Sequence, residues 1–291
     1  MTARSVTLGQ ILAEARRRFE EAGLANAAAD ARHLLINLLG LSSIDLISND
    51  RRVLSAGELE LVEDGIARRL RREPVFRIIG RRDFYGLELR LSSGTLEPRP
   101  DTEVLVDVVL PHLINIASTK GTARIIDLGI GTGAIALALL SQVDNCSALG
   151  VDLSDDALET AKRNAEMLGL GSRFRTLNSR WFETVEGRFD LIVSNPPYIR
   201  SDVVESLEPE VLLFDPILAL DGGDDGLTAY CSIAADARQY LEEGGLIAVE
   251  IGFDQKQEVT NIFRQNGFKL LESRQDFAGN DRVLLFAEGI R

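Results

Sequence analysis

The 291-residue chain is poor in sulfur and imidazole. Cys146 and Cys231 are its only cysteines, and His33 and His112 its only histidines. Two thiols cannot make the multi-bridge framework of a small secreted domain. The four residues show no metal-ligand spacing, which argues against a Cys/His zinc site, and no metal is expected. Cys146 opens an apolar strand segment and Cys231 falls in a helical one, and both read as small core residues. No run of 18 or more uncharged apolar residues occurs, so neither a membrane span nor a membrane partner is expected. The opening Met1-Thr2-Ala3-Arg4-Ser5-Val6-Thr7 lacks the apolar stretch and small-residue cleavage site of a secretory leader, and the expected location is the cytoplasm.

Positive charge is also scarce. Lys and Arg number 32 against 45 Asp and Glu, a net charge of -13. The deficit is uneven: residues 1–100 carry 16 basic and 14 acidic side chains, residues 101–291 carry 16 and 31. An acidic body repels phosphate backbone, which disfavours a dedicated DNA binder. One local exception is the crowd Arg68, Arg69, Arg71, Arg72, Arg77, Arg81 and Arg82. It reads either as a solvated helix end and hairpin or as a docking patch for an acidic protein or nearby RNA.

The length allows a sizeable core and two domains. Residues 1–75 read as a small helical domain suited to recognition. Thr7 caps a helix with Leu8, Ile11, Leu12, Ala15 and Phe19 on one face. Asn26 caps a second through Ala28, Ala31, Leu34, Leu35 and Leu38, and Ser55 a third. Residues 76–97, with Phe76, Ile78, Ile79, Phe84, Tyr85, Leu87, Leu89 and Leu91 broken at Gly80 and Gly86, read as a β-hairpin linker. Glu97-Pro98-Arg99-Pro100 is stiff and extended, and Asp101 is placed to cap the next helix. Residues 98–291 form the third segment. Within it, strands Arg124–Asp127, Ala148–Asp152, Arg173–Leu177, Phe189–Ser194 and Leu246–Ile251 alternate with helices. The pattern marks an α/β fold with an open, mostly parallel sheet. Lys269–Arg274 and Arg282–Glu288 add an antiparallel pair at its edge, for seven strands.

Two segments carry the chemistry. The first is Asp127-Leu128-Gly129-Ile130-Gly131-Thr132-Gly133. Glycines after a strand let the chain turn sharply and let a ligand approach the backbone. Asp152, with Leu153 beside it, ends the next strand 21 residues beyond Gly131, a spacing suited to a carboxylate on ribose hydroxyls. The spacing is GxGxG rather than GxGxxG, and no pyrophosphate-binding group is evident, so a nucleoside ligand is expected. Asp127 anchors the turn or reaches the ligand. Asn178, Ser179 and Arg180 lie where an adenine edge is read, with Trp181 and Phe182 near the ring.

The second segment is Ser194-Asn195-Pro196-Pro197-Tyr198, at a strand end. The Asn195 side-chain oxygen and the Pro196 carbonyl are two acceptors for the two hydrogens of a planar NH2 group. Such a clamp aims the nitrogen and favours the positive charge that grows on it during attack on a methyl donor. Tyr198 can cover a flat substrate, and Pro197 stiffens the segment.

With these residues in order the chain resembles the class I S-adenosylmethionine-dependent methyltransferases. More closely, it is similar to the bacterial peptide chain release factor glutamine N5-methyltransferase family, the HemK/PrmC type. The resemblance runs through Arg82-Asp83-Phe84-Tyr85-Gly86, Pro98-Arg99-Pro100-Asp101-Thr102-Glu103, the glycine turn, Ser194-Asn195-Pro196-Pro197-Tyr198-Ile199, Phe214-Asp215-Pro216 and Asn280-Asp281-Arg282. It implies a Rossmann-like domain that takes S-adenosylmethionine and releases S-adenosylhomocysteine. It implies as acceptor the glutamine of the Gly-Gly-Gln loop of class I release factors, so that the reaction modulates translation termination. Asn195, Pro196 and Tyr198 would be catalytic, with Pro197 and Pro100 also near substrate. Asp127, Gly129, Gly131, Gly133, Asp152, Leu153, Ser179, Arg180, Trp181 and Asn195 would meet the cofactor. The helical domain and hairpin would dock the release factor, and a monomer is expected.

Two residues depart from the family pattern. Glu97 stands where many relatives have an apolar residue, and Arg180 where many have a carboxylate for the adenine amino group. Arg180 has no acceptor to offer, so Asn178, Ser179 or a backbone group must replace it, or cofactor affinity falls. Three other readings remain open at this point: a ribosomal-protein glutamine, an adenine-N6 in nucleic acid, or an inactive cofactor-binding scaffold.

Overall fold

The computed structural model describes residues 5–289 and divides between Arg81 and Arg82 into two compact units. The first four residues of the opening segment read above lie outside the described residues. No described helix is long and apolar enough to cross a membrane.

The first unit holds α1 (Leu8–Glu21), α2 (Ala27–Leu39), α3 (Ser43–Ser48), α4 (Ala56–Leu70) and α5 (Val75–Ile79). Thr7 starts α1 as expected. Its hydroxyl accepts from the Gln10 amide while the Gln10 side chain accepts from the Thr7 N–H, so two orphan donors are satisfied at once. Ser55 and Glu58 repeat the device on α4. Leu8, Ile11, Ala15 and Phe19 of α1 pack with Leu34, Leu35, Val62 and Ile66 in one apolar cluster.

Three expectations in this region change. Asn26 precedes α2 but makes no side-chain cap, and Ala27 rather than Ala28 is buried. Phe76–Ile79 is helical, not strand. Pro74 (φ -59°) pre-sets the entry and Gly80 (φ 80°) ends the turn, and five residues are too few for apolar spacing to separate the two states. The hairpin is therefore confined to β1 (Arg81–Phe84) and β2 (Leu87–Arg90). Tyr85 (φ 51°) and Gly86 (φ 76°) form its two-residue turn, both in the left-handed region that matches strand twist.

Three arginines of the crowd, Arg68, Arg69 and Arg82, stand in ion pairs. Arg68 forks onto Glu73, and buried Arg69 donates to Asp30 at 2.7 Å. Arg82 lies 3.2 Å from Glu97. Glu97, the departure noted above, is thus a buried carboxylate with its own cation.

The second unit continues through α6 (Glu103–Lys120), β3 (Ala123–Leu128), α7 (Ala134–Gln142), β4 (Cys146–Asp152), α8 (Asp155–Met167), β5 (Phe174–Asn178), β6 (Phe189–Ser194), α9 (Ser201–Val204), α10 (Pro209–Phe214), α11 (Thr228–Tyr240), β7 (Leu241–Glu250), α12 (Lys256–Gln265), β8 (Phe268–Gln275) and β9 (Asp281–Glu288). The sheet runs β5-β4-β3-β6-β7-β9-β8. Neighbours from β5 to β7 pair in parallel, and β9 is antiparallel to both β7 and β8. All six residues of β6 are buried, as a strand covered on both faces requires. One apolar layer gathers α6 and α7 and the other α11 and α12.

Asp101 does not cap α6. Pro100 begins a 3-10 turn, Pro100–Thr102, so Asp101 is already inside the winding and Thr102 precedes the helix. Cys146 is buried, as read, but Cys231 is exposed on α11.

Asn164 of α8 is a polar tie inside this unit. It is fully buried, accepts from the Arg90 N–H at 2.9 Å, and donates to the carbonyls of Arg90 and Thr132. One side chain thereby joins β2 and the glycine turn. Asn164→Ala leaves those backbone groups unmatched, and a loss of about 2–4 kcal/mol is expected. Trp181 is the chain's only tryptophan and lies in the same unit, so its fluorescence in a urea titration reads that loss. An unchanged midpoint would show that the tie carries no stability.

Candidate active site

The two segments singled out in the sequence sit side by side. Strands β3 and β6 are parallel neighbours with Leu128 opposite Ser194. The Ser194 hydroxyl donates to the Leu128 carbonyl at 2.7 Å, locking the strand ends together. The glycine turn leaves one end and Asn195-Pro196-Pro197-Tyr198 the other. This is also where strand order reverses, the place at which open α/β sheets hold ligands.

Gly129 (φ 76°) and Gly131 (φ 52°) are in the left-handed region. A Cβ on Gly131 would meet nothing within 4 Å, and one on Gly129 would meet only the Asn195 carbonyl oxygen at 4.0 Å. The turn therefore presents bare backbone to open space. That space is a cavity of about 560 Å³, within the usual range for small-molecule sites. Gly129, Gly131, Asp152, Leu153, Asn195 and Pro197 all line it.

Asp152 accepts from the Gly131 N–H at 3.0 Å and the Ser154 N–H at 2.9 Å. Burial pushes its carboxyl above the ordinary range, while those amides pull the other way. Its oxygens keep lone pairs toward the cavity. Ser179, Arg180 and Trp181 also line the cavity, with Trp181 at φ 49°.

Other expected residues stand elsewhere. Asp127 is buried beneath the turn, where one oxygen accepts from Ala136 N–H at 3.1 Å. Its other oxygen has no partner among the described residues. Burial, with Asp152 adding to it, drives its pKa well up. Gly133 opens α7 and faces Leu137 and Ala161 rather than the cavity. Phe182 stacks on Tyr240 in the core, with ring centroids 4.5 Å apart. Asn178 donates to the Leu153 carbonyl and the Asp155 carboxylate and is outside the cavity wall. Pro100 is exposed, and its neighbours Pro98, Arg99 and Thr102 form the wall instead.

Within the second segment, Pro196 is buried and Tyr198 turns inward. The Tyr198 hydroxyl donates to Glu250 Oε1 at 3.3 Å, and burial followed by the Glu250 charge raises its pKa. The Asn195 side-chain NH2 donates to Thr102 Oγ1 at 3.2 Å. Among the described residues none donates to its Oδ1.

Sequence reasoning missed what pins this segment. Gln255 donates to the Tyr198 and Gly226 carbonyls. Gly222 donates to the Ile199 carbonyl at 2.7 Å, and a Cβ there would strike Tyr198 Cα at 2.8 Å. Asp221-Gly222-Gly223-Asp224-Asp225-Gly226 was visible as a turn signal, but nothing local tied it to Tyr198. Glu103, the last residue of the Pro98–Glu103 motif, accepts from the Tyr85 N–H at 2.8 Å and fixes the hairpin turn.

Comparison with known proteins decides the family. Residues 10–80 match the model of the PrmC N-terminal domain, and residues 103–208 that of the methyltransferase small domain. The chain is 53% identical to the release factor glutamine methyltransferase of Agrobacterium fabrum, over 96% of this chain and 97% of that one. It is 40% identical to the protein of the same description from Caulobacter vibrioides, over 97% and 96%. The chain belongs to the release factor glutamine methyltransferase family. Among solved structures, the ribosomal protein L11 methylase from Lactobacillus delbrueckii subsp. bulgaricus shares the fold, with TM-score 0.51 and 19% identity over 69% of this chain and 86% of that one. The protein is a methyltransferase with the class I S-adenosylmethionine-dependent fold.

The cavity suits such a cofactor on its own geometry: a bare glycine cradle, an acidic strand end opposite it, and apolar walls from Ile130, Val151 and Trp181. Gly131→Ala tests the cradle. Its methyl enters the open space and strains a left-handed backbone by about 1–2 kcal/mol. That strain is the same with and without ligand and lowers stability only, but the methyl occupies the space a ligand on the turn would fill, so calorimetric titration with S-adenosylhomocysteine should show a Kd weaker by about tenfold or more, about 1.4 kcal/mol. Unaltered affinity would mean the ligand does not rest on that turn.

Proposed function

We propose that this enzyme transfers a methyl group from S-adenosylmethionine to the side-chain amide nitrogen, N5, of the glutamine in the Gly-Gly-Gln loop of class I peptide chain release factors. The supporting observation is the Asn195 carboxamide on the cavity wall. Its nitrogen is engaged by Thr102 and its oxygen is left as an acceptor. The names of the curated relatives point to the same acceptor.

When bound, S-adenosylmethionine supplies an electrophilic methyl on a sulfonium. In this reading Gly129, Gly131, Asp152, Leu153, Ser179, Arg180, Trp181 and Asn195 hold it, while Asp127 and Gly133 support the turn from behind. A glutamine amide nitrogen is a weak nucleophile because its lone pair is delocalised. The Asn195 Oδ1 and the Pro196 carbonyl accept its two hydrogens and fix which way it faces. The same acceptors favour the charge that grows on nitrogen. Pro197 keeps the acceptors rigid. Tyr198 serves from within, through its bond to Glu250, and Pro100 through the wall that starts beside it. No strong base is required, because the methylated cationic nitrogen is acidic and its proton passes to water.

The helical region, residues 1–75, and the linker, residues 76–97, take the docking role, and residues 98–291 the transfer. A translation factor as partner puts the enzyme in the cytoplasm. It acts there as a monomer, with neither DNA nor a membrane as partner.

The Asn195→Ala variant checks the clamp. Transfer of radiolabelled methyl to a release factor should fall on the order of 10²-fold or more, the scale for removing one preorganised group. Affinity for S-adenosylhomocysteine should stay within a few-fold. A Gly-Gly-Ala release factor should take no label. Near-full activity in the variant, or equal labelling of Gly-Gly-Ala, would overturn the proposal.

A further inference from the structure

One side chain outside the cavity wall holds the backbone of the clamp segment. Gln255 stands just before α12 and is 9% exposed. Its NH2 donates to the Tyr198 carbonyl at 3.0 Å and to the Gly226 carbonyl at 3.2 Å. Its Oε1 accepts from the Gly252 N–H at 3.0 Å. These partners leave the amide one orientation, because a carbonyl only accepts and a backbone N–H only donates. Three stretches far apart in sequence therefore meet on one carboxamide: the end of the clamp segment, the glycine-rich turn 221–226, and the chain just past β7. The meeting is close. A Cβ on Gly226 would lie 2.5 Å from the Tyr198 carbonyl oxygen and 2.7 Å from Gln255 Nε2.

We infer, resting on the clamp reading above, that Gln255 is a positioning residue for methyl transfer: by holding the Tyr198 carbonyl it fixes where the Asn195 and Pro196 acceptors stand. Between that carbonyl and the acceptors lie two prolines. Each ring locks its own φ, and Pro197 also confines Pro196 to extended backbone. The segment is therefore stiff, and a displacement at its Tyr198 end reaches the Pro196 carbonyl instead of being absorbed on the way. Its other end is fixed separately, by the Ser194 hydroxyl on the Leu128 carbonyl at 2.7 Å.

Gln255 does not line the cavity, so it acts on the reaction only through this backbone. Removing its NH2 leaves the Tyr198 and Gly226 carbonyls without their shared donor, and the segment must shift to find other partners. The Gly222 N–H on the Ile199 carbonyl, at 2.7 Å, still retains the chain one residue further on. The expected result is a misplaced clamp on a folded protein. A displacement of about 1 Å at the reacting group is enough to cost on the order of 10²-fold in rate. The glycine turn that would carry the cofactor lies on β3, away from this junction, and keeps its shape.

The test measures kcat and KM for release-factor methylation in the wild type, Gln255→Glu and Gln255→Met, well below their melting temperatures. Gln255→Glu keeps the shape and replaces the two donors by an acceptor, and Gln255→Met removes them without adding charge. Both should lose on the order of 10²-fold in kcat, while KM for the release factor and Kd for S-adenosylhomocysteine stay within a few-fold. A double-mutant cycle with Asn195→Ala separates positioning from general support. If Gln255 acts through the clamp, Gln255→Met should cost little more once Asn195 is gone, whereas independent effects would multiply. Wild-type kcat in both variants, a loss confined to KM or to cofactor affinity, or full multiplication in the cycle would each overturn the inference. If Gln255→Glu does not fold, Gln255→Met and its cycle decide, and failure of both to fold makes the residue structural and ends the proposal. A wild type that labels no release factor sinks the underlying function. A wild type that labels it no faster than the Gln255 variants sinks only the positioning role.

Discussion

Parallel pairing of β3 with β6 is the constraint on which the site depends. The end of β3, Leu128, and the start of β6, Phe189, lie 61 positions apart in sequence. Nothing local brings their loops together. Parallel strands need a crossover, and β4, β5 and their helices supply it on one side before the chain returns to the other. The return leaves two loop mouths adjacent at the C-terminal ends of two central strands, one of bare glycine backbone and one of proline-stiffened carbonyls. The hydroxyl of Ser194 on the Leu128 carbonyl fixes their relative height.

Regular structure ends where the chemistry begins. Beyond Ser194 the chain has no strand partner on both sides, and its shape comes from side chains and glycines recruited from far away. Gln255 donates to the carbonyls of Tyr198 and Gly226, and the Gly222 N–H to that of Ile199. Arg99 meets Asp215 at 2.7 Å, tying the proline-rich segment before α6 to the segment after α10. A loop held this way has little freedom to relax when a substrate arrives. That rigidity is what the proposed clamp on a poor nucleophile requires.

The sequence was most legible where periodicity or position carries meaning by itself. The capping Thr7 and Ser55, the strands β3, β4 and β6 within a residue or two, and the glycine turn all follow from local rules. Asp152 and Asn195 were legible because each ends a strand whose place in the sheet the alternation implies. Illegible were features set by tertiary partners. Nothing near residue 76 distinguishes a five-residue helix from a strand. Nothing near Asn178 reveals that Asp155 claims its amide, 23 residues away. Tyr198 looked like a cover for substrate because its ring is flat. Its inward turn depends on Glu250, 52 residues on, and Thr102 drew no notice because a threonine before a helix usually needs no other role.

The disposition of charge around the cavity accords with the proposed reaction. The methyl donor is a cation and the acceptor amide is neutral, so an unmatched cation near the transferring carbon would oppose the bond-forming step. Each strongly basic group close to the clamp is matched: Arg99 by Asp215, and Arg282 by Asp276. Arg180 is the apparent exception, but it is exposed on the cavity wall, where water screens it. Asn178 cannot replace the missing carboxylate, since its amide is committed to Leu153 and Asp155. Ser179 is nearer the task, because it is buried on the cavity wall, yet its hydroxyl oxygen already accepts from Thr184 at 3.0 Å. On the proposed function, reading of an adenine edge falls to backbone groups, with apolar contact from the Leu153 side chain and the Trp181 ring on the cavity wall.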